Sequence, residues 1–192
     1  MMKLVVFLLF ASAVLAQSFV DLPISEDSYL EEADPTAVHG LDPIGSVFKD
    51  TAVTGKKLNL VFKCDISSLA GVNSVDNAYF FYKQYGRSST ELNGTPYLKF
   101  DLWRIVTSWN ETTVSYATSP AVVGTSAILT NYQDMNVNAV TGTITSTLAS
   151  AKTAGDQQIA FLVTSSFPYV NVYMKDFQST PTFRPYIRVY FS

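Results

Sequence analysis

The chain has almost nothing from which to build a conventional catalytic or metal centre. One cysteine and one histidine occur among 192 residues. A lone Cys64 permits no intrachain disulfide, so the fold must rest on its core. It also excludes any paired C-x-x-C metal site. A lone His39 is the single available base for a Ser-His-Asp or Cys-His arrangement, and H-E-x-x-H zinc chemistry is ruled out. No Gly-rich phosphate cradle is present. Charged residues make up only 15% of the chain, with a formal charge of −3 and no basic run. That balance gives no reason to expect nucleic acid or anionic lipid as a partner, and it argues against an acidic polysaccharide unless a local basic cleft gathers. Long hydrophobic runs are lacking too: the one apolar stretch, Leu4 to Leu15, is too short to span a bilayer.

That stretch reads as a signal peptide. Lys3 precedes it, and Val14 and Ala16 suit cleavage after Ala16. The expectation is that residues 1–16 are removed and residues 17–192 form one secreted, extracellular domain without membrane insertion. Nothing at the C-terminus reads as a lipid-anchor tail. Lys3 is the only charge lost, so the mature chain is one unit more negative. Its length suits a single domain with a sizeable core.

What the chain does have is strand pattern. Leu58, Leu60, Phe62, Cys64 and Ile66 alternate with Asn59, Val61, Lys63 and Asp65, which places Cys64 on an apolar face as a buried, inert thiol. Val72 to Gly86 carries aromatic rings on both sides, with Phe80 and Tyr82 opposite Tyr79, Phe81 and Tyr85, as a central strand would. Tyr97 to Ile105 alternates again, and Gln158–Thr164, Val170–Lys175 and Arg184–Phe191 finish the chain as strands. Asp27–Leu30 reads as a short opening strand, followed by a long loop punctuated by Pro35, Gly40, Pro43, Gly45 and Gly55. Weaker strand signals lie at Val122–Val123 and Met135–Val137. Val140, Ile144, Leu148 and Ala151 recur at helical spacing, so Ala139–Lys152 is expected as the one helix, closed by Gly155. These features describe an all-β protein, an antiparallel β-sandwich of jelly-roll type with one short helix.

The stretch from Thr107 to Pro120 organises the rest. Trp109 is bulky enough to plug one end of a sandwich, Glu111 is placed to accept hydrogen bonds from a tight turn, and Thr113–Tyr116 reads as a strand. The pattern formed by Trp109, Glu111, Thr113, Val114 and Tyr116, followed by Pro120, resembles the central motif of the DNRLRE-type domains, secreted β-sandwich modules classed among carbohydrate-binding modules. The opening Asp27-Ser28-Tyr29, the segment Leu60–Leu69, Ala78 before an apolar run, and the closing Arg184-Pro185-Tyr186-Ile187-Arg188-Val189-Tyr190 are similar to that family as well. The resemblance runs from Asp27 to Tyr190. It departs at Met174 and Asp176, which stand where the family has the Ser and Glu of an S-x-E segment. It implies a non-catalytic protein that binds extracellular or cell-wall polysaccharide. The alternatives are a structural matrix, coat or wall protein without sugar selectivity, and a small polysaccharide hydrolase or lyase using carboxylates such as Glu91, Asp101 and Glu111.

Candidate sites follow from chemistry. Sugar C–H faces stack on aromatic rings while hydroxyls need fixed polar partners, so Trp103 with Tyr97, Lys99 and Arg104 is the expected ligand-binding surface. Tyr82, Tyr85, Tyr132, Tyr169 and Tyr173 are secondary candidates. Asp27 and Asp176, with Glu26 and Glu31 nearby, are the candidates for a structural calcium, since hard carboxylate oxygens from the first and a late strand suit that ion. No other cofactor is expected. Asn93-Gly94-Thr95 and Asn110-Glu111-Thr112 are glycosylation sequons, with Asn110 expected to be wedged beside Trp109.

Overall fold

The alternation of the first strand, β1 (Ser18–Glu31), slips by one residue at Ser25, and that slip lets a single strand pair with a different neighbour in each half. In the computed structural model, which describes residues 17–49, 57–87, 97–134, 139–165 and 170–192, a bulge lies between Ile24 and Glu26. For residues 48–49, 84–87, 97–99, 131–134, 139–141 and 170 only the backbone is described. An extra residue in a strand turns every later side chain to the opposite face and bends the strand. Leu22 and Ile24 accordingly join the main core before the bulge; after it, Tyr29 packs against that core and Leu30 joins a second cluster.

Among the described residues the remaining strands are β2 (Ile44–Lys49), β3 (Lys57–Asp65), β4 (Val75–Arg87), β5 (Tyr97–Ile105), β6 (Leu129–Asp134), β7 (Ala139–Thr143), β8 (Gln158–Ser165), β9 (Val170–Tyr173) and β10 (Tyr186–Phe191), with one α-helix, α1 (Thr145–Ala154). All pairings are antiparallel. The first half of β1 pairs with β10 and the second half with β3. The path β1–β10–β4–β9–β2–β3 therefore returns to β1, with β8, β5 and β6 continuing from β3 and β7 flanking β4. The result is one nearly closed, barrel-like sheet rather than the two separate sheets of the expected sandwich. No helix among the described residues is long and apolar enough to cross a membrane.

The main core is what the alternation dictates. Leu60, Phe62 and Cys64 of β3 meet Phe80 and Tyr82 of β4, Phe161 and Val163 of β8, and Ile187 and Val189 of β10, all nearly fully buried. Cys64 is buried as expected, and desolvation pushes its thiol up to about 12, which keeps it inert. The strand β4 is central, with β10, β7 and β9 as partners. Helix α1 presents Leu148 and Ala151 to the same core and stops at Gly155, whose φ of 79° is the left-handed cap conformation that glycine adopts without strain.

Five expectations are corrected. The helix begins at Thr145, because residues 139–143 pair with β4 as β7 instead. The first strand runs back to Ser18, and the long loop after it contains β2. Thr113–Tyr116 forms no strand: the backbone N–H groups of Thr113 and Val114 bond to the Asn110 carbonyl and make turns. Val122 contributes only an isolated bridge to Ile105, and Met135–Val137 lies outside the described residues.

Candidate functional site

Trp109 is buried, but not at the end of the barrel. The segment from Val106 to Val123 folds over the outer face of β3, β8 and β5, where Trp109 packs with Leu30, Val61, Ile105 and Val114 as a second apolar cluster. This cover explains why Lys63, which alternation aims outward, is also buried. Its ammonium donates to Glu26 Oε1 at 2.8 Å and to the Trp109 carbonyl, and lies 4.6 Å from the Trp109 ring centroid. Glu26 Oε2 in turn accepts the Glu111 N–H at 3.1 Å. The turn is thus braced by Glu26, not by the Glu111 carboxylate as expected.

The Glu111 carboxylate instead reaches Lys175, whose Nζ lies 2.9 Å from Glu111 Oε2 and 2.7 Å from Asp176 Oδ2. Asp27 completes this cage. It is fully buried, its Oδ2 accepts the Lys175 backbone N–H at 2.6 Å, and its Oδ1 has no hydrogen-bond partner among the described residues. Desolvation is the main cause that lifts the Asp27 carboxyl to about 7, with Asp176 and Glu111 adding repulsion. Burial pulls the Lys175 ammonium down, but its hydrogen bonds to Asp176 and Glu111 outweigh it and leave the group raised. The calcium candidates Asp27 and Asp176 are therefore brought together, with Glu111 as a third carboxylate and ligand atoms within 4.8 Å of one another. Glu26 and Glu31 are engaged elsewhere, with Lys63 and His39. An ammonium already sits against two of the three carboxylates, so a divalent ion here would have to displace Lys175.

The expected sugar platform is divided. Trp103 and Arg104 are neighbours on β5 and face opposite ways. Trp103 is half-buried on the covered outer side, its indole N–H donating to Thr164 Oγ1 at 3.0 Å. Arg104 turns to α1, with Nη2 on Asp156 Oδ2 at 2.6 Å and Nη1 on the Thr147 carbonyl at 3.4 Å. Tyr97 and Lys99 belong to β5, but their side chains lie outside the described set. The same holds for Tyr85 and Tyr132, while Asn93, Glu91 and Tyr169 are outside the described residues altogether. Tyr82 is core, and Tyr173 packs against Phe177 and Phe183. Asn110 is exposed rather than wedged, its Oδ1 accepting the N–H and hydroxyl of Thr112 in a tight local turn. His39 stacks on Tyr29 and contacts Asp42 and Glu31, so its described partners are an aromatic ring and carboxylates rather than a nucleophile.

Sequence reading passed over the outer face of β1, β10 and β4. Register aligns Phe19 with Tyr190, Asp21 with Arg188, Arg188 with Tyr79, and Tyr186 with Phe81. Phe81 and Tyr186 stack at 4.8 Å, and Tyr79 meets Tyr190 edge to face at 6.2 Å. Arg188 lies 4.8 Å from the Phe19 ring centroid and holds Asp21 through Nε and Nη2, each at 2.7 Å. Beside these rings, Gln17, Asn77, Tyr79, Phe81 and Tyr190 line an open groove of about 470 Å³, within the range of small-ligand sites. The signal was present in Tyr186-Ile187-Arg188-Val189-Tyr190, whose odd partners Ile187 and Val189 are buried and leave the two tyrosines outward. A second groove of about 320 Å³ lies by Lys63, Arg104, Trp109 and Asp156, where both cations are already paired. Neither groove is lined by Asp27, Glu111 or Asp176.

A scan against models of known protein families finds no match, and a search of curated proteins finds none either.

Proposed function

We propose that the chain is a secreted, non-catalytic protein that binds polysaccharide on the outer face of β1, β10 and β4. The observation that carries this reading is the groove bounded by Tyr79, Phe81 and Tyr190 with the amides of Asn77 and Gln17. Rings for sugar C–H faces and amides for hydroxyls are what glycan recognition requires, and neither a nucleophile nor a metal is needed. The signal peptide and the likeness of the motifs to DNRLRE-type domains support the same reading. The jelly-roll description belongs with it, supported by the bulge of β1 at Ser25, since the corners of some sandwiches are made by strands that bend through a bulge.

A glycan array probed with the labelled secreted protein tests the proposal. Binding to a subset of glycans is expected, unchanged for Trp103→Ala and reduced about fivefold or more for Tyr190→Ala, since a stacked ring contributes about 1 kcal/mol or more. Binding to no glycan, together with concentration-dependent self-association, would favour a structural matrix protein. Release of sugar fragments from a bound polysaccharide would favour a hydrolase or lyase.

A further inference from the structure

We infer that the glycan held on this face is electrically neutral, selected by the Asn77 and Gln17 amides; the inference rests on the polysaccharide-binding reading. Acidic polysaccharides are gripped through cations free to meet a carboxylate or sulfate. On the outer rows of β1, β10 and β4 the described cations are Arg188 and Lys83. Arg188 is already committed to Asp21 in a two-pronged pair and stacked against Phe19. Lys83 lies over the Phe183 ring at 3.5 Å and does not line the groove. Arg188 stands beside the groove, 5.8 Å from the Phe81 ring centroid, but its charge is matched by Asp21, while Asp76 precedes Asn77 and receives the Gln17 amide at 3.5 Å.

A polyanion approaching this face would thus meet carboxylates and compensated cations, within a chain that is net negative. A neutral hexose or N-acetylhexosamine chain meets no such penalty. Its hydroxyl or acetamido groups need a donor and an acceptor at a fixed place, which an amide supplies in one side chain. Asn77 is exposed at the register position opposite Tyr190, so its amide lies beside the ring on which the sugar would stack.

Affinity electrophoresis of the secreted protein in gels containing a neutral β-glucan, a neutral glucomannan, chitosan acetylated to neutrality, alginate or pectate separates the possibilities. The expected result is retardation in at least one neutral gel and none in alginate or pectate at low salt. Retardation should be abolished in Tyr79→Ala and weakened severalfold in Asn77→Ala and in Asn77→Asp, each with a melting temperature within a few degrees of the parent's. Retardation only in alginate or pectate, lost in Tyr79→Ala, would overturn the neutral assignment while leaving the binding face intact. Neutral retardation untouched in both Asn77 variants would overturn the role of the amide. No retardation in any gel would overturn polysaccharide binding itself.

Discussion

Two outer faces of the same sheet carry apolar side chains, and the chain treats them differently. On the β3, β8 and β5 side, residues 106–123 fold back as a cover, so Val61, Ile105 and Trp109 become a second core and even Lys63 is buried. On the β1, β10 and β4 side no described segment covers Tyr79, Phe81, Tyr186 and Tyr190, and Phe19 is 54% exposed. There the rings are held by one another and by the Arg188–Asp21 pair. Side chains of similar character thus yield stability where the chain returns over them and remain available for a ligand where it does not.

Substitutions that remove the cover should have the largest effect. Trp109→Ala takes out the centre of the second cluster and leaves the buried Lys63 beside a cavity, so a loss of about 3–5 kcal/mol is expected. For a domain of this size that corresponds to a fall of roughly 10–15 °C in melting temperature by scanning fluorimetry. A fall of only a degree or two would show that the cover is an ornament on a self-sufficient barrel.

The cage that ties this cover to β1 should give a pH dependence. The Asp27 carboxyl is raised from 3.8 to about 7 in the folded protein, so between those values the folded state binds a proton that the unfolded state releases. Stability from this group is therefore full below about pH 4, falls as pH rises towards 7, and is flat above. The penalty at pH 8 relative to pH 5 is on the order of 3 kcal/mol. Asp27→Asn keeps an acceptor for the Lys175 N–H and cannot ionise. Melting curves at pH 5 and pH 8 should differ less for Asp27→Asn than for the parent, and equal differences would remove Asp27 as the cause.

A smaller loss is expected at Gly40, where the 32–43 loop touches the cover. A Cβ built there would stand 2.1 Å from the Glu111 carbonyl oxygen, which is backbone and cannot swing aside. Gly40→Ala should cost about 1–3 kcal/mol, read by urea denaturation. Full stability in that variant would mean that the loop and the turn separate without cost. The smallest stability effect should come from the open face: Tyr79→Ala should shift the melting temperature by no more than a few degrees.

Much of this was legible in the sequence where one strand decides its own environment. The alternation in Leu58–Ile66 put Cys64 inside, β5 runs over the residues its pattern marks, and the aromatic rows of β4 announced a central strand. What escaped depended on partners distant in the chain. The Trp103 face looked as open as the Tyr79 face, because nothing local says that residues 106–123 return over its neighbours. The alignment of Tyr79 and Phe81 with Arg188 and Tyr186 is set by strand pairing across more than a hundred residues. The cage was half legible: Asp27 and Asp176 were paired from their positions, whereas Glu111 reaches them from a turn whose place, held in part by Glu26, is set by residues far away in the chain. The residues taken for a helix start at 139–143 went to the free edge of β4, a tertiary demand that outweighs weak helical spacing.

The central claim, that the open face and not the covered one receives the ligand, has a direct optical test. The protein's two tryptophans, Trp103 and Trp109, both lie on the covered side, while the open face carries only tyrosine and phenylalanine rings. Tryptophan emission should be followed while the protein is titrated with a polysaccharide that retards it in gels. The account predicts saturable binding, lost in Tyr79→Ala, with the tryptophan emission maximum unchanged throughout. A shift in that maximum, saturating with binding and abolished by Trp103→Phe, would contradict it.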